Sequence, residues 1–234
     1  INKNLSRTID DEKFIFFPLI VDPERSLLIA APFCTNQFES ILHVAKSLPI
    51  GYKLYVKDHN AMDTRDWRSF SFYKKIMNLP NVKMLHHTVH PKNILPKCSM
   101  VITAGGTAGF EAAFYEKPTI TFVESIYSSL KSVEILNDIK ELPQLIQKQL
   151  NAKFDLDDLN NFVSVLEKNS FPFDGSGFDT LAHHILFYDG FLSDVEINEK
   201  QMNKLLDAYS KQLEILADEH IKKIIQHTKY KNYD

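Results

Sequence analysis

Cysteine is scarce in this chain of 234 residues: Cys34 and Cys98 are the only two, far apart and in no metal-ligand spacing. A disulfide scaffold is therefore not expected, and two reduced, buried thiols in a reducing compartment are. No apolar run approaches the roughly 18 to 20 residues of a membrane-spanning helix. The opening Ile1-Asn-Lys-Asn-Leu-Ser6 is neither a secretory leader nor an initiator methionine, which is the start expected of an excised fragment. No charge of one sign dominates. With 27 Lys and Arg against 30 Asp and Glu, the net charge is −3 at pH 7, so there is no global attraction to nucleic acid or anionic lipid, and any basic surface must be local. Internal repeats and low-complexity tracts are absent too.

What is present is the composition of a soluble globular chain, 44% hydrophobic and 24% charged, long enough for one sizeable core plus appended helices. From Phe14 to Val123, short β-rich runs alternate with helix-like segments, the pattern of parallel βαβ units with helices on both faces. Strands are expected at Phe14 to Leu19, Tyr52 to Lys57, Val82 to Leu85, Met100 to Thr103 and Thr119 to Val123. Between them lie a helix from Gln37 to Leu48, with Phe38, Ile41, Leu42 and Ala45 on one face, another around Trp67 to Met77, and a short one near Pro91 to Lys97. The fold class is thus α/β: a Rossmann-like open parallel sheet of about five strands flanked by helices. After Val123 the pattern becomes helical, at Leu142 to Leu150, Leu156 to Leu166, Phe178 to Phe187 and Glu196 to about Gln226. The last carries a broad apolar stripe through Leu205, Leu206, Tyr209, Leu213, Leu216, Ile221, Ile224 and Ile225. The expected division is residues 1–150 as the Rossmann-like domain and 151–234 as a helical extension packing on it.

The densest information lies in Met100 to Pro118, where an apolar run breaks into glycines and resumes with helical spacing. Gly105, Gly106 and Gly109 let backbone approach a ligand closely, and the free amides at the new helix start, around Thr107 and Ala108, favour an anion such as phosphate. Glu111 stands four residues after Thr107, one too many for a capping box, and so is available to face a ribose hydroxyl. The pattern is neither the G-x-G-x-x-G of a dinucleotide fold nor a Walker loop, and a plain strand-to-helix turn accounts for it equally well. In an open parallel sheet the ligand crevice lies beyond the carboxyl ends of the strands. The polar stretches there are Asp22 to Ser26, including Glu24 and Arg25, then Asp58 to Arg65, and Glu124 to Ser129, including Tyr127 and Ser128. Lys57, His59, Arg65 and Arg68 form a local basic lip suited to phosphate oxygens. Asp22, Glu24, Arg25, Tyr127 and Ser128 are candidates for lining the ligand crevice. Phe110 and Tyr127 either stack near a base or sugar or belong to the core.

No metal is expected. His86, His87 and His90 are close in sequence, but no Asp, Glu or Cys nearby completes a ligand set, so they read as strand-end and helix-start residues. No G-x-S-x-G elbow marks an activated serine, and Asp58 beside His59 points away from it in extended chain. The catalytic residues are therefore left unassigned.

Three segments carry a resemblance. Phe17-Pro-Leu-Ile-Val-Asp-Pro-Glu-Arg-Ser26, Leu48-Pro-Ile-Gly-Tyr-Lys-Leu-Tyr-Val-Lys-Asp-His59, and Val101-Ile-Thr-Ala-Gly-Gly-Thr-Ala-Gly-Phe-Glu-Ala112 with Lys117-Pro118 resemble, in order and spacing, the capsule polysaccharide biosynthesis proteins. These are GT-B glycosyltransferases related to the bacterial Kdo transferases that use a CMP-activated sugar. The resemblance covers roughly Phe14 to Ser129. It implies one half of a GT-B fold, the nucleotide-binding carboxyl-terminal half, in which Gly106, Thr107, Ala108 and Glu111, with Lys57 and His59, hold the nucleotide phosphate and ribose. It also implies transfer of a sugar, Kdo-like from a CMP donor, to a glycan acceptor in surface polysaccharide synthesis. The nucleotide sugar (CMP-, UDP- or GDP-linked) is a substrate and no cofactor is needed. An amino-terminal GT-B domain binds the acceptor, and the location is cytoplasmic, peripheral at the inner membrane face. Two positions depart from the family pattern: Asn60 follows His59 where relatives carry proline, and Ile20 stands where they often carry histidine. A sugar-nucleotide epimerase on the same architecture, and a catalytically degenerate module that binds a nucleotide or glycan, are the competing readings.

Overall fold

The computed structural model describes residues 5–22, 26–59, 68–187 and 196–230. Glu24, Arg25, Asn60, Arg65 and the expected helix start at Trp67 lie outside the described residues. The chain forms two compact units, Ile1–Val163 and Ser164–Asp234.

The first unit is built on a six-stranded, wholly parallel sheet in the order β3-β2-β1-β4-β5-β6. The strands are β1 (Phe14–Pro18), β2 (Lys53–Lys57), β3 (Val82–Leu85), β4 (Met100–Thr103), β5 (Thr119–Thr121) and β6 (Val133–Ile135). Successive side chains of a strand face opposite ways, and β1 shows why its unbroken apolar run is needed. Ile15 and Phe17 join one core cluster while Phe14 and Phe16 join the other, so both faces are buried. Leu54 and Val56 of β2 and Met100 and Ile102 of β4 side with Ile15; Tyr55 and Val101 side with Phe14.

Helices cover both faces. On the first lie α1 (Gln37–Ser47), α2 (Phe70–Met77) and α5 (Leu142–Leu150), through Ile41, Val44, Ile76 and Ile146. On the second lie α3 (Pro91–Ile94) and α4 (Ala108–Ala113), through Ile94 and Ala112. Local signals set their starts: Asn36 and Ser69 accept from the amides of Glu39 and Phe72, and His90 caps α3 through Nδ1.

The sixth strand is an addition to the expected five. β6 is only three residues long, Val133-Glu-Ile135, too short for alternation to be read, and only its pairing with β5 reveals it. Beyond it, the first turn of α6 (Leu156–Lys168) is tied back by Lys131, whose amide and Nζ donate to Asp158 and Asp155, each at 2.8 Å.

In the second unit, α7 (Gly175–Phe187) and α8 (Glu199–Tyr230) share a small core of Ile185, Leu186 and Leu205. Phe178 meets the Tyr209 ring edge-on at 5.1 Å. The expected apolar stripe of α8 is only partly used: Leu205 is buried, while Leu206, Ile221, Ile224 and Ile225 are exposed. Among the described residues no helix is long and apolar enough to cross a membrane.

Candidate functional site

The chain runs from β1 outward to β2 and β3, then returns to the other side of β1 to begin β4. Connections therefore leave in opposite directions from β1 and β4, and a crevice opens between their carboxyl ends. It is a cleft of about 420 Å³, lined by Pro18 to Val21 after β1, Lys57 to His59 after β2, Thr103 and Gly105 to Ala108 after β4, and by Pro91 and Glu111. Seven residues anticipated as nucleotide or phosphate contacts meet there: Lys57, His59, Gly105, Gly106, Thr107, Ala108 and Glu111.

The glycine turn has reasons of its own. Gly105 sits at φ +100°, where L side chains are strained, and a Cβ on it would lie 2.7 Å from Cγ2 of Val123. Gly109 is buried. A Cβ there would lie 2.7 Å from the Tyr127 hydroxyl and 3.0 Å from Cγ2 of Thr119, so this glycine is required by packing behind the turn, not by ligand approach. Tyr127 likewise does not line the cleft. It is 3% exposed, and its hydroxyl donates to the Gly106 carbonyl at 2.6 Å; burial raises its phenol pKa. Phe110 stacks on Tyr127 and meets Phe162 edge-on, which makes both aromatics core. Ser128 accepts from the Ser125 amide within its own loop.

Threonines knit the turn to the sheet: Thr103 Oγ1 accepts from the Gly106 amide at 2.9 Å, and Thr119 Oγ1 donates to the Gly109 carbonyl at 3.0 Å. At the start of α4, the Thr107 hydroxyl donates to Glu111 Oε1 at 3.3 Å instead of capping. The amides of Thr107 and Ala108 have no partner among the described residues, as expected for first-turn N–H groups that a ligand can use.

The opposite wall is organised around Asp58, which sequence reasoning had set aside. Its Oδ2 accepts from the Tyr73 hydroxyl at 2.6 Å; its Oδ1 accepts from the His59 amide at 2.9 Å and from Arg68 Nε at 3.3 Å. Arg68 belongs to this network and not to a phosphate-facing lip. Its side chain, 5% exposed, also reaches Asp22 at 3.4 Å and the Ile20 carbonyl, and lies over the Phe72 ring at 5.1 Å. Two carboxylates and a carbonyl take three of its five donors. Asp22 is accordingly an Arg68 partner and does not line the cleft. Ile20 is gripped a second time: Gln37, 3% exposed at the start of α1, accepts from its amide at 2.9 Å and donates to its carbonyl at 3.0 Å. Gln37 and Tyr73 went unread in the sequence because nothing local marks a helical Gln or Tyr as the partner of a distant strand end.

Lys57 is buried at 6% exposure and donates from Nζ to the Asp58 carbonyl at 3.1 Å. It is a desolvated cation facing a cleft, a group that gains from an anionic ligand. Elsewhere, His86 follows β3 and His90 caps α3; among the described residues no three His, Cys, Asp or Glu converge as a metal site. Burial raises the thiol pKa values of Cys34 and, to about 12, of Cys98, so neither is a ready nucleophile at neutral pH.

The profile of the capsule polysaccharide biosynthesis protein family matches residues 2–131, a span that holds every cleft-lining residue. The chain belongs to that family. Among solved structures it is similar to UDP-GlcNAc 2-epimerase from Methanocaldococcus jannaschii, with 16% identity and TM-score 0.47 over 63% of this chain and 41% of that one. It is also similar to the beta Kdo 2,7 transferase of Thermosulfurimonas dismutans KpsC, with 17% identity and TM-score 0.42 over 58% of this chain and 45% of that one. A third is the spinosyn rhamnosyltransferase SpnG complexed with thymidine diphosphate, with 15% identity and TM-score 0.42 over 67% and 41%. The chain thus spans less than half the length of each. No curated protein sequence matches it.

Proposed function

We propose that this family member is the nucleotide-sugar-binding part of a GT-B glycosyltransferase that builds a capsule or other surface polysaccharide. The observation that carries the reading is the cleft at the β1/β4 switch point, where Lys57, His59, the amide-bearing turn at Thr107 and Ala108, and Glu111 share one 420 Å³ space. In this reading the donor phosphate sits between Lys57, His59 and the turn, and Glu111 accepts from a ribose hydroxyl.

The charges of the described lining residues suit a donor with one phosphate. Among the described lining residues Lys57 is the one Lys or Arg, facing the carboxylates Asp58 and Glu111, and Asp58 is already balanced by Arg68. One buried cation with two free amides suits the single charge of a nucleoside monophosphate sugar. A CMP-linked sugar, the donor implied by the resemblance, fits this account.

Transfer breaks the bond between the sugar's anomeric carbon and the phosphate, and negative charge grows on the departing nucleotide. Lys57 and the turn amides, held in place before reaction, stabilise that charge more in the transition state than in the bound donor. Asp58 is committed to three donors and does not serve as the acceptor's base; the base comes with the acceptor-binding domain that the resemblance implies.

Calorimetric titration with CMP, UDP and GDP tests the reading. Saturable binding, tightest for CMP and weakened about tenfold by Glu111→Ala or His59→Ala, is expected from the loss of one charged or ligand-facing hydrogen bond. No binding of any nucleotide to the unmodified chain would overturn it.

A further inference from the structure

A second hollow, of about 280 Å³, lies across α3 from the cleft: Pro91 lines the cleft, while Lys92 and Asn93 line the hollow. Its cations are Arg7, Lys92 and Lys97, and among the described residues no acid lines it. On a chain of net charge −3 this is an unusual concentration of one sign. None of the three has a carboxylate partner among the described residues. The acids at positions 10 and 12 are engaged elsewhere, Asp10 by Lys83 and Glu12 by the Tyr55 hydroxyl.

Arg7 is oriented by neutral groups. Just before it, Ser6 makes one parallel bridge to Leu85 at the edge of β3, its amide donating to Met84 O and the His86 amide donating to Ser6 O. That register brings Arg7 Nη2 to His86 Nε2 at 3.0 Å and Nη1 to Thr88 Oγ1 at 3.4 Å. A guanidinium only donates, so Nε2 accepts, and the ring proton sits on Nδ1, which donates to Thr88 Oγ1 at 2.8 Å. The 3.3 Å approach of the Thr88 amide to that same nitrogen is then not a hydrogen bond. His86 is 2% exposed and therefore a fixed support. A cation aimed by a buried imidazole, with no carboxylate to neutralise it, keeps both its charge and spare donors for a ligand. Ile9, Val89 and Pro96 supply apolar wall between the charges, the surface that the face of a sugar ring covers.

We propose that this hollow is an anion-binding subsite that holds a carboxylate or phosphate group carried on a glycan chain, one short helix away from the cleft. The glycan as carrier rests on the glycosyltransferase reading; the anion site itself does not. An acidic polymer held there would be anchored beside the cleft by charge and ring contact together.

The test is binding of a galacturonic acid oligomer, a neutral maltooligosaccharide of equal length and inorganic phosphate to the full chain at fixed low salt. Saturable binding of the acidic oligomer is expected, with none of the neutral one. Arg7→Gln and Lys97→Gln should each weaken it about tenfold, as for one lost charge-assisted hydrogen bond. Lys46→Gln, an exposed lysine on α1 across the sheet, should leave it unchanged. His86→Gln should weaken it less than Arg7→Gln while CMP binding at the cleft is unaltered, which separates this site from the nucleotide site. Equal losses in Lys46→Gln, or no binding of the acidic oligomer, would overturn the proposal. Binding of phosphate with none of the oligomer would overturn the glycan as its source.

Discussion

On one side of the cleft the turn's inner contacts span three or four residues, and one longer tie, from the Tyr127 hydroxyl 21 positions on, braces the Gly106 carbonyl from behind. Gly106 leans on Thr103, and Thr107 on Glu111. On the other side, the strand ends are held by residues far along the chain: Gln37 is 17 positions from Ile20, Tyr73 is 15 from Asp58, and Arg68 is 48 from Ile20. The first wall is a shape that glycines permit. The second is a charge arrangement that exists only once three connections have closed, and its polar atoms are buried, where an unmade bond costs most. A cleft with one wall held mostly by near neighbours and one wholly assembled wall should lose the assembled one first when partners are removed.

The largest expected effect is on the assembled wall. Asp58→Ala leaves Arg68 buried with only the half-exposed Asp22 as counter-charge, and should destabilise the fold by about 3–5 kcal/mol in urea unfolding. A loss under 1 kcal/mol would mean that Arg68 simply turns to solvent. Next comes the local wall, where Gly105→Ala forces a side chain into φ +100° and against Val123. About 2–4 kcal/mol is expected from the strain and the overpacking together, and a neutral outcome would show that the turn can open.

Gln37→Leu strips both partners from the Ile20 backbone except the Arg68 contact, a loss of about 1–3 kcal/mol. Nucleotide affinity should fall alongside stability if Ile20 is held for the ligand's sake. The smallest effect should come from Tyr127→Phe, which removes one hydrogen bond to Gly106 at about 0.5–1.5 kcal/mol. It carries a pH signature. Because burial raises the Tyr127 pKa in the folded state, its contribution is present below the ordinary tyrosine pKa of 10.0 and is lost as pH rises above it. Unfolding midpoints measured across that range should decline more steeply for the unmodified chain than for Tyr127→Phe.

The strands were legible because buried parallel strands leave runs such as Phe14 to Phe17, whose alternate side chains fill two separate cores. The turn was legible because glycine after a strand and before a helical pattern has few uses. β6 was not: β5's three residues open the longer run Thr119 to Val123, whereas Val133-Glu-Ile135 has no such run around it. The strand-end rule collected Lys57 and His59 with the turn, but the same rule put Asp22, Arg68, Tyr127 and Ser128 at the cleft, and the structure gives these four internal partners. A strand-end position tells which end of the sheet a residue occupies. It does not tell whether its side chain turns toward the crevice or into the protein.

By itself the sequence determined an open parallel sheet, a crevice at its carboxyl edge, a glycine turn at one lip, and kinship with a polysaccharide-building family. These depend on spacing along the chain, and spacing is what a sequence records. Only the tertiary structure decided that Gly109 yields to Tyr127, that Arg68 is turned inward onto Asp58, that Gln37 grips Ile20, and that Arg7 is aimed by His86. Each of those choices is made when a buried donor meets the nearest acceptor in space, and closing the chain, not its local pattern, sets which acceptor that is.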